Sequence, residues 1–194
     1  MFGLSTALEL ARRGRKVAVI DRLGSGHPAT SSTGASRSIR IAYDQALYVH
    51  LAQEAIRSWR RLEAETGRTI LRLTGQIDLG PETKLRSIQE AVRKHGGEIE
   101  MLDAAELRRR FPELAPRTDE VGLFHADGGT VVADQGMLAL AEAARAKGVS
   151  IFSPERVTKI DPGPTPATIV TDKQRLQATR VVLAAGPWSG ALLA

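Results

Sequence analysis

The sequence predicts an α/β fold: a layer of parallel-sheet type interrupted by a strand-rich α+β insert. Three observations predict it. Gly3 to Asp21 (GLSTALELARRGRKVAVID) reads as an amphipathic helix running into a short continuous apolar run that stops on a carboxylate. After Gly67 the texture changes to short alternating runs punctuated by glycine and proline. From Asp134 the chain returns to helix, strand, meander and strand. The organisation expected is therefore residues 1–72 as the first part of the layer, 73–133 as the insert and 134–194 as the second part of the layer.

Composition limits the function classes. At 194 residues, 42% apolar and 25% charged, the chain can bury one sizeable core or two small ones, which argues against disorder. Absence of cysteine rules out disulfides, thiolate metal sites and a thiol nucleophile in these residues, and fits a cytoplasmic location. The first residues are apolar, but Glu9 interrupts them and Arg12, Arg13, Arg15 and Lys16 follow rather than precede, the reverse of a secretory signal. No apolar run approaches the ~20 residues of a membrane span, so no membrane partner is expected. A net charge of +5 invites a nucleic-acid reading. Lysines and arginines are nevertheless spread over several helices among acids, and no nucleic-acid motif is present, so no such partner is expected.

In the first element Leu4, Ala7, Leu8 and Ala11 recur at helical spacing, Gly14 stands at the C-terminal cap and Val17 to Ile20 forms the strand. Asp21 falls at the strand's carboxyl end, where open α/β sheets bind ligand. In a dinucleotide-binding βαβ unit two glycines make a tight turn, a third lets helix and strand pack closely, and an acid roughly 20 residues on holds ribose hydroxyls. Gly3 can only be that third glycine. Taken alone the pattern is weak, since a glycine before a helix is commonly just a turn.

Arg22 to Thr33 is a loop rich in Gly, Pro, Ser and Thr. Gly34 to Asp44 (GASRSIRIAYD) suggests a short helix with Ser31, Ser32 and Thr33 as N-cap residues, a ready anion site, and with Arg37 and Arg40 on one face. Two arginines on a helix are more simply a solvated pair, but Ile39 and Ile41 make the segment partly apolar. Tyr48, Leu51, Ala52, Ala55, Ile56, Trp59 and Leu62 then mark a long core-packing helix ended by Gly67. Ile70 to Leu79 reads as a strand pair broken at Thr74-Gly75, and Pro81-Glu82 opens a helix carrying Leu85, Ile88 and Val92. A strand at Ile99 to Leu102, a helix capped by Asp103, and strands at Val121 to Phe124 and Thr130 to Ala133 complete the insert. Asp134 caps a helix carrying Met137, Leu138, Ala141 and Ala144. Val149 to Phe152, Arg156 to Ile160 and Thr168 to Thr171 read as strands, and Thr179 to Gly186 as a last apolar strand ending where backbone approaches a ligand closely. His27, His50, His95 and His125 lack ligand spacing, so no metal is expected.

The pieces GxxxALELARRGxxVAVID, SSTGASRSIRIAY, LTGQIDLG, ELRRRFPEL and RVVLAAGPWSGALL, in this order, resemble the FAD-dependent amine oxidoreductases of the D-amino-acid oxidase superfamily. Within it the nearest group is the monomeric sarcosine oxidase, N-methyltryptophan oxidase and pipecolate oxidase type. The similarity runs over the whole chain. It implies an FAD-binding Rossmann-like layer of glutathione-reductase type, with a mixed-sheet substrate domain inserted. The reaction implied takes a hydride from a secondary amino acid such as sarcosine onto flavin N5, with dioxygen as acceptor and hydrogen peroxide as product. The implied partners are FAD, an amine or amino-acid substrate and dioxygen.

Carried over by motif, Gly3 matches the last fingerprint glycine, Asp21 the ribose-binding acid and Arg22 a residue beside the adenine. Ser31, Ser32, Thr33 and Ser36 match positions near the pyrophosphate and flavin. Arg37 matches an arginine packed by the isoalloxazine, and Arg40 the one that pairs with the substrate carboxylate. Val157 matches a backbone contact to adenine, and Gly186 with Trp188 a close approach to the cofactor. Thr33 departs from the histidine that many relatives carry. The first strand, the first two glycines and the later catalytic lysines and flavin-attached cysteine of the family are not in the sequence, so a chain truncated at both ends is the expectation. The alternatives are a non-catalytic fragment, a subunit completed by a complementary chain, and a dehydrogenase of the same superfamily.

Overall fold

A computed structural model describes residues 1–117 and 119–193. In chain order the elements begin with α1 (Phe2–Arg12), β1 (Ala18–Ile20), β2 (Arg37–Ile39), α2 (Ala46–Thr66), β3 (Leu71–Arg72) and β4 (Gln76–Pro81). Next come α3 (Glu82–Lys94), β5 (Glu100–Leu102), α4 (Ala104–Arg110), β6 (Glu120–His125), β7 (Gly129–Val131) and α5 (Ala133–Ala146). The chain continues with β8 (Ser150–Phe152), β9 (Val157–Asp161), β10 (Ala167–Thr171) and β11 (Arg175–Ala178), then a 3₁₀ turn (Gly186–Trp188) and α6 (Ser189–Leu193). Two compact units result: Met1–Ala35, Ala64–Arg68 and Ala133–Ala194 in one, Ser36–Glu63 and Thr69–Val132 in the other. Residues 36–63 thus group with the strand-rich middle of the chain rather than with the first helix and strand.

In the first unit β1 and β8 pair in parallel, Val19 opposite Ile151 and Ile20 opposite Phe152. Such pairing needs a crossover connection, and α5 precedes β8 as α1 precedes β1. The two helices pack on each other. Their buried faces carry Leu4, Ala7 and Leu8 on α1, and Met137, Leu140, Ala141 and Ala144 on α5. Small residues along α5 allow the close approach. Arg12 bonds Glu9 and also Glu65 Oε1, the latter at 2.7 Å. The β9–β10–β11 meander is antiparallel. Its last strand was not anticipated, although Arg175-Leu-Gln-Ala alternates; Thr171 Oγ1, accepting from the N–H groups of Lys173 (3.1 Å) and Gln174 (2.9 Å), makes the turn that returns it.

The second unit holds two antiparallel three-stranded sheets, in the orders β2-β7-β3 and β4-β6-β5. Ile41, Val49, Leu85, Val92, Ile99 and Leu123 form its core. Leu107 of α4 lies over Gly122, where an added Cβ would stand 2.6 Å from its Cδ2. Asp103 Oδ1 accepts the N–H groups of Ala105 and Glu106 at 2.8 Å each, and Glu106 reaches back to the Asp103 N–H. This capping box extends the single cap that the sequence signals.

Four expectations are corrected. Residues 34–44 form no helix: Ile39 and Ile41 are buried while Ser38 and Arg40 are exposed, a period of two, and Arg37–Ile39 lies antiparallel to β7. Ser31, Ser32 and Thr33 therefore cap no helix there, and Arg37 and Arg40 do not share a helical face. The strands around Thr74-Gly75 pair with β7 and β6 rather than with each other, because Gly75 at φ +85° turns the chain out of one sheet and into the next. On α2 the buried positions are Val49 and Leu62, while Tyr48 and Leu51 of the expected stripe are exposed. Residues 180–185 form no ladder, and Val181 and Val182 are exposed; a strand needs a paired neighbour, and none of the described residues supplies one.

Gly129 is the tightest point of the β2-β7-β3 sheet, with φ +155° and only 2.2 Å between an added Cβ and the Arg72 carbonyl oxygen. Gly129→Ala is expected to cost about 2–3 kcal/mol, read from the urea midpoint; an unchanged midpoint would contradict this packing.

Candidate functional site

The first cluster lies at the carboxyl end of β1. Asp21 N–H donates to the Phe152 carbonyl (3.0 Å) and the Asp21 carbonyl accepts from Glu155 N–H (2.9 Å), so the residue is fixed between β1 and the segment after β8. Its side-chain Oδ1 accepts from the N–H groups of Leu23 (2.9 Å) and Gly24 (2.8 Å), both bonds falling on one oxygen. The loop that follows turns at Gly24 and Gly26, with φ +98° and +87°. Arg22 places its guanidinium 5.4 Å from the ring centroid of Trp188, which is half-exposed. Gly186, at φ +57°, opens the 3₁₀ turn that carries this tryptophan.

Helix α1 starts with no side-chain cap and no acid in its first turn. Its leading N–H groups and dipole therefore present positive potential. An added Cβ on Gly3 would lie 3.4 Å from Ala184 Cβ, so the helix start and the 180–185 segment approach closely. Ser32 Oγ accepts from the Met1 ammonium at 2.9 Å. Ser31 is exposed, and Thr33 is buried with its hydroxyl 2.9 Å from the Thr30 carbonyl, turned into its own loop. Gly34 N–H donates to Asp134 Oδ1 (2.8 Å), so the aspartate expected to cap α5 holds this loop instead. Val157 opens β9 opposite Thr171. A cleft of about 520 Å³ in the same unit is lined by Gly24, Ser25, Arg68, Glu142, Arg145 and Ser153.

The second cluster belongs to the other unit. Arg37 lies on β2 with its guanidinium donating to the Ser36 carbonyl at 2.8 Å, both residues exposed. Arg40 lies beyond the strand, its guanidinium 5.0 Å from the Tyr43 ring centroid and its Nη1 3.8 Å from Asp78 Oδ1. Gln76 Nε2 donates to the same Asp78 oxygen at 3.1 Å. Cross-strand register sets His125 directly opposite Gln76, and Asp78 two residues along the same face. Asp78 Oδ2 and both ring nitrogens of His125 are buried without a hydrogen-bond partner. Asp78 was not singled out from the sequence, and His125 was weighed there only as a metal ligand; the alternation of Gln76, Asp78 and Gly80 with Ile77 and Leu79 was the available signal.

Burial holds the His125 imidazole below its usual range; Asp78 and Asp127 work against this and Arg40 adds to it. The unfolded chain then binds this proton more readily, so the contribution to stability is complete above about pH 6.5 and is lost as the pH falls through and below that value. Urea midpoints are expected to drop on acidification below about pH 6.5. His125→Gln should flatten that part of the profile, and an identical profile in the variant would refute the assignment.

The architecture that carries these clusters is a mixed α/β fold similar to that of known amino acid oxidases. NikD, an unusual amino acid oxidase essential for nikkomycin biosynthesis, superposes with a TM-score of 0.81 at 29% identity, over 98% of this chain and 50% of its own. L-proline dehydrogenase from P. horikoshii shares the fold with a TM-score of 0.83 at 21% identity, over 97% of this chain and 51% of its own. The family model DAO, FAD dependent oxidoreductase, matches residues 1–194, and the chain belongs to that family. Peroxisomal sarcosine oxidase of Mus musculus is 34% identical over 98% of this chain and 49% of its own length. Monomeric sarcosine oxidase of Bacillus sp. (strain B-0618) is 27% identical over 98% and 50% respectively. The chain thus spans about half the length of the curated relatives it matches.

Proposed function

We propose that this chain holds the adenosine end of FAD and the carboxylate-binding arginine of an amine oxidoreductase acting on a secondary amino acid, N-methylated or cyclic, such as sarcosine. The observation that carries the reading is Asp21: its Oδ1 is spent on the Leu23 and Gly24 N–H groups, which leaves the other oxygen as an acceptor for vicinal hydroxyls at the end of a parallel strand.

The surrounding residues fit the cofactor. The uncapped start of α1, free of acids, suits a pyrophosphate, with Gly3 keeping side-chain bulk away and the Ser31 and Ser32 hydroxyls in the neighbouring loop. The Arg22–Trp188 stack and the backbone at Val157 suit an adenine, and Gly186 gives backbone access. Ser36 and Arg37 are assigned to the flavin side, where the Arg37 guanidinium would supply positive charge beside the isoalloxazine. Bound FAD supplies the hydride acceptor, N5, with dioxygen as the final acceptor and peroxide as product. Arg40 binds and orients the substrate: its guanidinium, braced on Tyr43, pairs with the α-carboxylate and thereby fixes the C–N carbon.

The test is the visible spectrum of the 194-residue chain after incubation with FAD and removal of the excess. A retained, perturbed flavin spectrum is expected. Asp21→Asn keeps an oxygen for the loop but replaces the second acceptor by a donor, and should weaken FAD at least about tenfold with little change in melting temperature. An Asp21→Asn variant with undiminished affinity would overturn the reading, whereas a colourless wild-type protein would leave the family membership standing and remove only the binding of FAD by these 194 residues alone.

A further inference from the structure

We propose that Asp78 is the cation-recognising half of the site at Arg40, so that the pair takes a zwitterion: carboxylate on Arg40, protonated amine on Asp78. The proposal rests on the assignment of Arg40 as the carboxylate anchor.

The geometry of the ion pair is the first support. A guanidinium fully engaged by a carboxylate makes two parallel bonds at ~2.8 Å. Here a single approach is recorded, at 3.8 Å, so the Arg40 donors are not consumed by Asp78. The Arg40 side chain is 45% exposed and that of Asp78 24%, and since Oδ2 is buried the accessible part of the aspartate excludes that oxygen. Cation and anion therefore stand side by side at the surface of one unit.

Charge complementarity is the second. A plain carboxylate seated on Arg40 faces the negative charge of Asp78 across the same guanidinium and is repelled by it. A ligand carrying a cation two bonds from its carboxylate closes a ring of four alternating charges instead. An amino acid is such a ligand, and a simple organic anion is not.

The third support is the buried side of the cluster. Gln76 fixes Oδ1, while Oδ2 lacks a donor. On the same sheet face His125 carries a neutral imidazole whose N–H lacks an acceptor. Gly128 leaves no room for the ring to swing away, since an added Cβ there would stand 2.7 Å from His125 Cε1. Buried donors and acceptors left without partners are costly, so the cluster keeps unspent polar capacity beside Arg40 rather than a closed network.

Equilibrium binding to the full chain, read by titration calorimetry, tests this with N-methylglycine and butyrate, which replaces the amine by a methylene. The wild type should favour N-methylglycine. Asp78→Asn should weaken N-methylglycine about tenfold and tighten butyrate a few-fold, whereas Arg40→Met should abolish both. Should Asp78→Asn misfold, Asp78→Ser makes the same comparison with a smaller side chain. An unchanged ratio of the two dissociation constants in the Asp78 variant, with both ligands lost in Arg40→Met, would overturn the zwitterion site and leave the carboxylate anchor standing. Binding that survives Arg40→Met, or a wild type that binds neither ligand, would overturn both.

Discussion

Four hydrogen bonds converge on Asp21, and the first unit depends on them. Its backbone N–H and C=O tie β1 to Phe152 and Glu155, and its Oδ1 folds the next residues back through Leu23 and Gly24. A parallel pair of three residues has little ladder of its own, so the aspartate locks the register that the strands alone hold weakly. One oxygen is consumed as a structural part, and in the proposed function the other accepts from ribose hydroxyls.

The second unit solves a different problem, the placing of polar groups on a sheet face. The pairing of β4 with β6 brings Gln76, Asp78 and His125 to one side, while Leu123 on that face is wholly buried. Arg40 reaches Asp78 from the segment after β2, and Tyr43, three residues on, supplies the aromatic surface beneath it. Because buried acceptors and donors without partners are costly, the three orphaned atoms mark the place where packing has been subordinated to another demand.

The sequence disclosed most where local chemistry decides local structure. Helix α1, the strand after it that stops at Asp21, the helix opened by Pro81-Glu82 and the cap at Asp103 were legible because each depends on residues within a few positions. Residues 34–44 misled because arginines three apart mimic a helical face, while the buried Ile39 and Ile41, two apart, were the stronger signal. The pairing of β3 and β4 with different partners was illegible, since nothing within ten residues of Gly75 encodes β6 or β7. In the site, Arg40 was read from its motif, but its neighbour Asp78 comes from 38 positions away in the chain (78 − 40) and is set there by strand register. The apolar run at 180–185 carried every local mark of a strand and lacks only a ladder partner among the described residues.

That run has a colloidal consequence. Val181 and Val182 are exposed, and among the described residues β1 and β8 pair only with each other. Strand-prone apolar segments beside incompletely paired backbone are templates for intermolecular β-addition. The net charge of +5 opposes that association through long-range repulsion, which added salt screens within a Debye length of ~8 Å at physiological ionic strength. Added salt is therefore expected to lower the concentration up to which a solution of this chain stays monodisperse.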